Sequence, residues 1–313
     1  MGKIAMLKQV TPTTKECFKE FIDFCKLRNL SNATIRMYEQ QWGYFVQYAE
    51  APYAADVTQE KVNGYILHLQ TKMSNTESIN TALRNIRPAL NYMNNHNWIA
   101  PIKIKLLKTQ EKVKDCYTDA ELRLLLKRPN QNNCTFQELR TWAIVNFFVG
   151  TGCRVRTLTN LTVSDVDLTN AVVKFRTTKN RKVQIFPLSD ELQDVLNVYL
   201  KHRKGEGTEF LFPSVNNTKL REDSVHHSVT KYNNQRGVWR IGLHLFRHTF
   251  ARNYVLSGGD VLRLQKLLGH STITMSQKYT NLFDEDIKQD FEQHNLLSKL
   301  NKQKEKLHIN PKK

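Results

Sequence analysis

Two arginines, a lysine, two histidines and a tyrosine between positions 154 and 279 are of types that could do chemistry together: Arg154, Lys179, His244, Arg247, His270 and Tyr279. Singly, each says little. A lone tyrosine is usually a core or surface ring, a lone arginine an ion-pair partner, and a lone histidine a packed, hydrogen-bonded group. Together they suit a phosphodiester. Two guanidinium forks can clamp its non-bridging oxygens in a geometry that lysine lacks. They would also stabilise the charge that builds in a pentacovalent transition state. Histidines add donors or carry protons near neutral pH. A lysine can protonate a departing sugar oxygen, and a tyrosine can form a covalent phosphate ester. The motifs contain no carboxylate cluster of the kind that holds two metal ions, so cationic side chains would do the electrostatic work.

Elements must bring these residues together. Arg154 follows Gly150-Thr151-Gly152, and a helix is expected over Arg154 to Leu161 whose N-terminus would favour an anion. His244 and Arg247, three apart, share one face of a helix predicted from His244 to Ser257. Helices are also predicted over Asp260 to Leu268, ended by Gly269 before His270, and over Ile273 to Tyr279. Ala171–Arg176 and Val183–Pro187 alternate as strands of a hairpin whose polar tip carries Lys179. Further helices are expected near Glu138–Phe148, Asp190–Lys201 and Ser224–Asn234, with Thr118 and Glu121 forming a capping box before another.

The first hundred residues need no strand. Apolar positions recur at helical spacing from Thr14 to Leu27, after Ser31, from Thr58 to Thr71, and from Thr76 to Asn95, where Pro88 is expected to kink the helix. This is a small helical bundle with Lys61, Lys72, Arg84 and Arg87 on its polar faces. Between Pro101 and Lys114 the pattern fades and lysines crowd, which reads as an extended basic linker. Lys103, Lys105 and Lys108 are candidate phosphate contacts there, as are Arg181 and Lys182 at the hairpin tip.

The 313 residues allow two domains. A formal charge of +18 favours a polyanionic partner. No apolar run is long enough to span a bilayer, and the start lacks the marks of a secretory signal. The 5 cysteines show no metal-ligand spacing and read as reduced thiols of a cytoplasmic protein.

Four stretches, in this order, resemble the tyrosine recombinase (phage integrase) family: Thr151-Gly152-Cys153-Arg154 with Leu158, Leu161 and Asp165-Val166-Asp167; Lys179 to Leu188; His244-Leu245-Phe246-Arg247-His248-Thr249; and Leu267-Leu268-Gly269-His270-Ser271 with Tyr279-Thr280. The resemblance implies a mainly α fold, with a helical core-binding bundle followed by a mostly helical catalytic domain with a small β-hairpin sheet. The expected boundaries are 1–102 for the bundle, 103–116 for the linker, 117–282 for the catalytic domain and 283–313 for a C-terminal helix and basic tail exchanged between protomers. It also implies roles. Arg154 and Arg247 would bind the scissile phosphate, His270 would donate a hydrogen bond, and His244 would assist proton transfer. Lys179, selected by its eight-residue offset to Pro187, would be the general acid, and Tyr279 would form a 3′-phosphotyrosyl link.

No metal, ATP or other cofactor is implied. The implied partners are double-stranded DNA, further copies of the chain up to a tetramer, and accessory DNA-bending proteins. No extra amino-terminal arm-binding domain is evident, so the layout is similar to compact Xer-like recombinases and small mobile-element integrases of bacteria or archaea. One departure stands out: Thr157 occupies a position where the family commonly has an acid, and Arg156 beside it reads as an exposed helix charge. The alternatives are a catalytically inactive DNA-binding protein on the same scaffold and a type IB topoisomerase.

Overall fold

The computed structural model describes residues 12–109, 115–130, 132–176, 183–240, 242–270, 272–277 and 279. The chain divides into two compact units, 1–112 and 113–313.

The first unit is the expected bundle: α1 (Thr14–Leu27), α2 (Asn32–Ala49), α3 (Gln59–Lys72) and α4 (Thr76–Asn95). Each helix begins where a side chain accepts a hydrogen bond from an otherwise orphaned backbone N–H: Thr13, Ser31, Thr58 and Asn75. The helix α4 runs on through Pro88 to Asn95. Its apolar stripe, with Leu83, Ile86 and Met93 fully buried, packs on the other three helices. Rings fill much of the core, with Phe18 stacked on Trp42 and Phe45 edge-on to Tyr65.

The first part of the basic stretch is fastened to this unit. Gln59 bonds both backbone groups of Lys103 (2.8 and 3.2 Å), Arg87 donates to the Ile104 carbonyl (2.6 Å), and Asn80 pairs with both backbone groups of Leu107 (2.8 and 2.9 Å). Ile104 enters the core, while Lys103, Lys105 and Lys108 are exposed. The main chain here, free of helix and strand, is thus held by side chains of α3 and α4.

The second unit is built around α6 (Phe136–Thr151), whose residues from Arg140 to Val145 are all buried. It packs against α5 (Asp119–Leu126), α8 (Asp190–Arg203), α9 (Glu222–Gln235) and α10 (Leu243–Leu256). The expected capping box of Thr118 and Glu121 starts α5. The helix α6 ends at Gly152, which takes the left-handed conformation at φ +59°. A Cβ added there would fall 2.7 Å from the Phe250 ring, so glycine is required twice over.

Three expectations need correction here. The helix predicted over Arg154 to Leu161 is a single turn, α7 (Val155–Leu158), because Thr159 and Asn160 turn the chain and Thr162 caps a short 3-10 turn with Asp165. That turn leads into a strand absent from the sequence-based expectation, β1 (Val166–Asp167). It pairs with β2 (Val172–Phe175), which pairs with β3 (Gln184–Pro187), giving a three-stranded antiparallel sheet in the order β1-β2-β3. After α10 come α11 (Val261–Leu268) and α12 (Thr274–Gln277). The helix predicted to reach Tyr279 stops at Gln277, leaving Tyr279 in a turn closed by its N–H to the Ser276 carbonyl (3.0 Å). The expected tail helix and its exchange lie outside the described residues.

Candidate active site

Arg154, Arg247, His270 and Tyr279 come together from four elements: Arg154 just before α7, Arg247 within α10, His270 just after α11 and Tyr279 after α12. Arg154 is the residue just before α7. With one turn there are too few aligned peptides for a helix dipole to matter, so the attraction for an anion rests on the guanidinium rather than on the helix N-terminus. Arg247 lies on the buried side of α10 and is 6% exposed. Its two terminal nitrogens donate to the carbonyls of Gly152 (2.9 Å) and Leu268 (2.7 Å), at the C-terminal ends of α6 and α11. Among the described residues, neither arginine has a carboxylate partner.

Two like charges are therefore held close in a half-buried place. Burial, and after it the charge of Arg154, push the Arg247 guanidinium down to about 10. Burial also lowers Arg154, with Tyr279 opposing. Both arginines would be relieved by an anion set between them.

Tyr279 is 9% exposed and packs on Ala251, Leu264 and Leu268. Burial raises its phenol, while the charges of Arg247 and Arg154 pull it down and Cys116 opposes them. The phenolic oxygen lies 2.9 Å from Nδ1 of His248. The His270 ring stacks nearly parallel to the Tyr279 ring, 6.3 Å between centroids.

His270 is positioned from three directions. Gly269 ends α11 in the left-handed conformation at φ +59°. The His270 N–H then donates to the Gln265 carbonyl (3.0 Å), and its Nδ1 meets Ser276 Oγ (2.7 Å), a fully buried hydroxyl in α12. If the hydroxyl donates to Nδ1, the proton sits on Nε2 and that nitrogen is a donor toward an anion. His244 stands exposed in the first turn of α10. Thr157 is buried and Arg156 exposed, the latter as expected for an outward helix charge. Lys179, Arg181 and Lys182 lie outside the described residues.

Sequence reasoning missed three groups. His248 adjoins Arg247, Ser276 precedes Tyr279 by three residues, and Gln184 links the sheet to the site. The Gln184 amide donates to the carbonyls of Lys266 and Leu267 (2.7 and 2.8 Å), so β3 holds the end of α11. Only the nearness of His248 and Ser276 to motif residues could have drawn attention to them. Nothing local marks Gln184, whose partners are more than eighty residues away.

Residues 117–286 match the phage integrase family. The chain belongs to that family. Its members, the tyrosine recombinases, cut and rejoin DNA strands at specific sites, and this family member shares that general activity. Among curated relatives, it is similar to the tyrosine recombinase XerA of Thermococcus kodakarensis, 27% identical over 91% of this chain and 97% of that one. It is also similar to the tyrosine recombinase XerD of Yersinia pestis, 32% identical over 56% of this chain and 60% of that one. Its fold is similar to that of the Tn1549 transposon integrase solved with circular-intermediate DNA, with a TM-score of 0.70, 21% identity, and 88% and 99% of the two chains covered. The XerH recombinase bound to a palindromic difH substrate gives a TM-score of 0.70 at 17% identity, with 91% of each chain covered. Within the family's architecture, this member sets its two motif arginines beside a buried tyrosine.

Proposed function

We propose that this integrase-family chain is an active site-specific DNA recombinase that works through a 3′-phosphotyrosyl intermediate formed by Tyr279. The observation that carries the proposal is the placement of the Tyr279 phenol within the field of Arg154 and Arg247, two guanidiniums that no carboxylate among the described residues neutralises. A scissile phosphate would supply the missing negative charge. Tyr279 Oη attacks phosphorus, the Oη–P bond forms, and the P–O5′ bond breaks. Arg154, Arg247 and His270 hold the non-bridging oxygens as charge builds on them. Lys179 gives the departing O5′ its proton, and His244, at the exposed start of α10, carries protons between the site and solvent. A partner strand's 5′ hydroxyl reverses the reaction. Because one phosphodiester replaces another, the exchange needs neither ATP nor a metal ion.

The bundle of residues 1–102 would contact the duplex as a core-type DNA-binding domain, joined by linker 103–116 to a catalytic domain at 117–282. The exposed lysines 103, 105 and 108 would follow the phosphate backbone, with Arg181 and Lys182 adding contacts. Lambda integrase has been solved as a tetramer bound to a Holliday junction. The same assembly is proposed for this chain, with segment 283–313 exchanged between protomers, on chromosomal, phage or mobile-element DNA in the cytoplasm.

Nicked suicide duplexes test the reading. Duplexes carrying a site selected from random-sequence DNA by the full chain should yield a covalent adduct that is absent in Tyr279→Phe, and paired sites should yield recombinants. Relaxation of supercoils without recombinants would identify a type IB topoisomerase. Binding without any adduct would identify an inactive DNA-binding scaffold.

A further inference from the structure

We infer that His248, through Nδ1, takes the phenolic proton of Tyr279 as the nucleophile attacks; this rests on the recombinase reading above. The first ground is geometric. Nδ1 stands 2.9 Å from the phenolic oxygen, within reach for direct proton transfer, and that oxygen is the attacking atom. The second is positional. His248 sits next to Arg247 on α10, so the residue that would receive the proton shares a rigid helix with one that would hold the phosphate. One residue along a helix turns the side chain by about 100°. Thus Arg247 reaches the carbonyls of Gly152 and Leu268 while His248 faces the turn that carries Tyr279.

The third ground is chemical need. The charged groups that act on the phenol from neighbouring elements are Arg154 before α7, Arg247 on α10 and Cys116 before α5, with the His270 ring stacked alongside from the end of α11. Arginines stabilise a phenolate but accept no proton at neutral pH. Burial holds the phenol protonated, so a base in contact with it lowers the barrier to attack.

The step balances. With its resting proton on Nε2, His248 Nδ1 accepts the phenolic proton as the Oη–P bond forms. The imidazolium so made returns that proton to Oη when the 5′ hydroxyl of the partner strand displaces the tyrosine. The proton delivered to the leaving O5′ comes separately, from Lys179. An in-line displacement calls for such a division of labour, with the base on the side of the attacking oxygen and the acid on the side of the leaving one.

The test is single-turnover adduct formation by the full chain on the selected nicked duplex. It uses an ordinary phosphate and a 5′-bridging phosphorothiolate, whose sulfur leaves without protonation. His248→Asn keeps an acceptor near the Nδ1 position but cannot take up a proton. It should cleave the ordinary substrate about 10²–10⁴-fold more slowly than the parent, with a rate that climbs with pH where the parent has levelled off. Bridging sulfur should rescue Lys179→Ala and leave His248→Asn slow. Thermal unfolding of His248→Asn close to that of the parent keeps the comparison one of chemistry. Parent-like cleavage by His248→Asn, or its rescue by sulfur, would overturn the inference while the parent's adduct upholds the recombinase reading. No adduct from the parent chain would overturn both.

Discussion

Among its described residues the second unit buries two arginines, and they are buried for different reasons. Arg140, in the middle of α6, is 5% exposed, and Arg247, on α10, is 6% exposed. Both rely on main-chain carbonyls: Arg140 donates to Pro213, and Arg247 to Gly152 and Leu268. Burial lowers both below the usual guanidinium range. Around Arg140 the neighbours are rings, with Phe136 at 6.0 Å and the Tyr199 hydroxyl already bonded to the Leu211 carbonyl. Around Arg247 stand a second guanidinium, a tyrosine and two histidines. Burial of a charge alone therefore does not mark a site. What marks it is an unneutralised charge beside another of the same sign and a nucleophile.

The largest effect expected from this contrast is at Tyr279. Tyr279→Phe removes one oxygen and keeps the ring packed on Leu264 and Leu268, so adduct formation should vanish while duplex binding by gel shift persists. Retained adduct would move the nucleophile elsewhere.

Next come the arginines themselves. Arg247→Leu should slow cleavage by at least about 10²–10³-fold, the loss typical of one transition-state donor. Arg140→Leu should instead leave cleavage per folded molecule close to the parent's and lower stability in urea by roughly 1–3 kcal/mol, through the unpaired Pro213 carbonyl. Equal activity losses in the two variants would erase the distinction between them.

A smaller effect concerns pH and anions. Burial and Arg154 together disfavour the charged form of Arg247, so its proton is lost as pH rises through about 10. Cleavage at limiting DNA should therefore decline as pH climbs toward that value, because the clamp loses charge. Bound phosphate favours the charged form and would shift the decline upward at saturating DNA. By the same logic inorganic sulfate should raise the melting temperature of the DNA-free chain, and Arg154→Gln should weaken that response while itself costing no stability. A sulfate response unchanged in Arg154→Gln would place anion binding elsewhere.

The smallest effect is expected at Arg156, which is adjacent in sequence but exposed. Arg156→Ala should shift stability by no more than about 0.5 kcal/mol and cleavage by about twofold, since it neither is buried nor stands beside the tyrosine. A loss comparable to that of Arg247→Leu would make Arg156 part of the phosphate contact.

How much of this could be read beforehand depended on the range of the interactions. The predicted limits of α1 and α4 coincide with the observed ones, because an apolar stripe and a capping side chain are written within each helix. The motif residues Arg154, Arg247, His270 and Tyr279 were legible as types at spacings, and folding supplies their convergence. The strand β1 was not legible: two residues carry no periodicity, and the strand exists only because Val166 and Asp167 meet β2. The length of α7 was missed because Thr162 and Asp165 close a competing turn just downstream. The place of His248 is not legible in the sequence, since it depends on which face of α10 meets the turn after α12, a matter of packing rather than of sequence pattern.

The pair of hydrogen bonds that Arg247 donates to the Gly152 and Leu268 carbonyls has a consequence for anyone redesigning this protein. One side chain staples together two segments more than a hundred residues apart in sequence, and the staple is itself part of the tool. Lysine cannot reach both carbonyls at once with a planar fork, so replacing Arg247 changes the shape of the workplace along with its charge. The chemistry and the scaffold cannot be tuned there independently. Variation in site preference must be sought on surfaces that leave this joint alone.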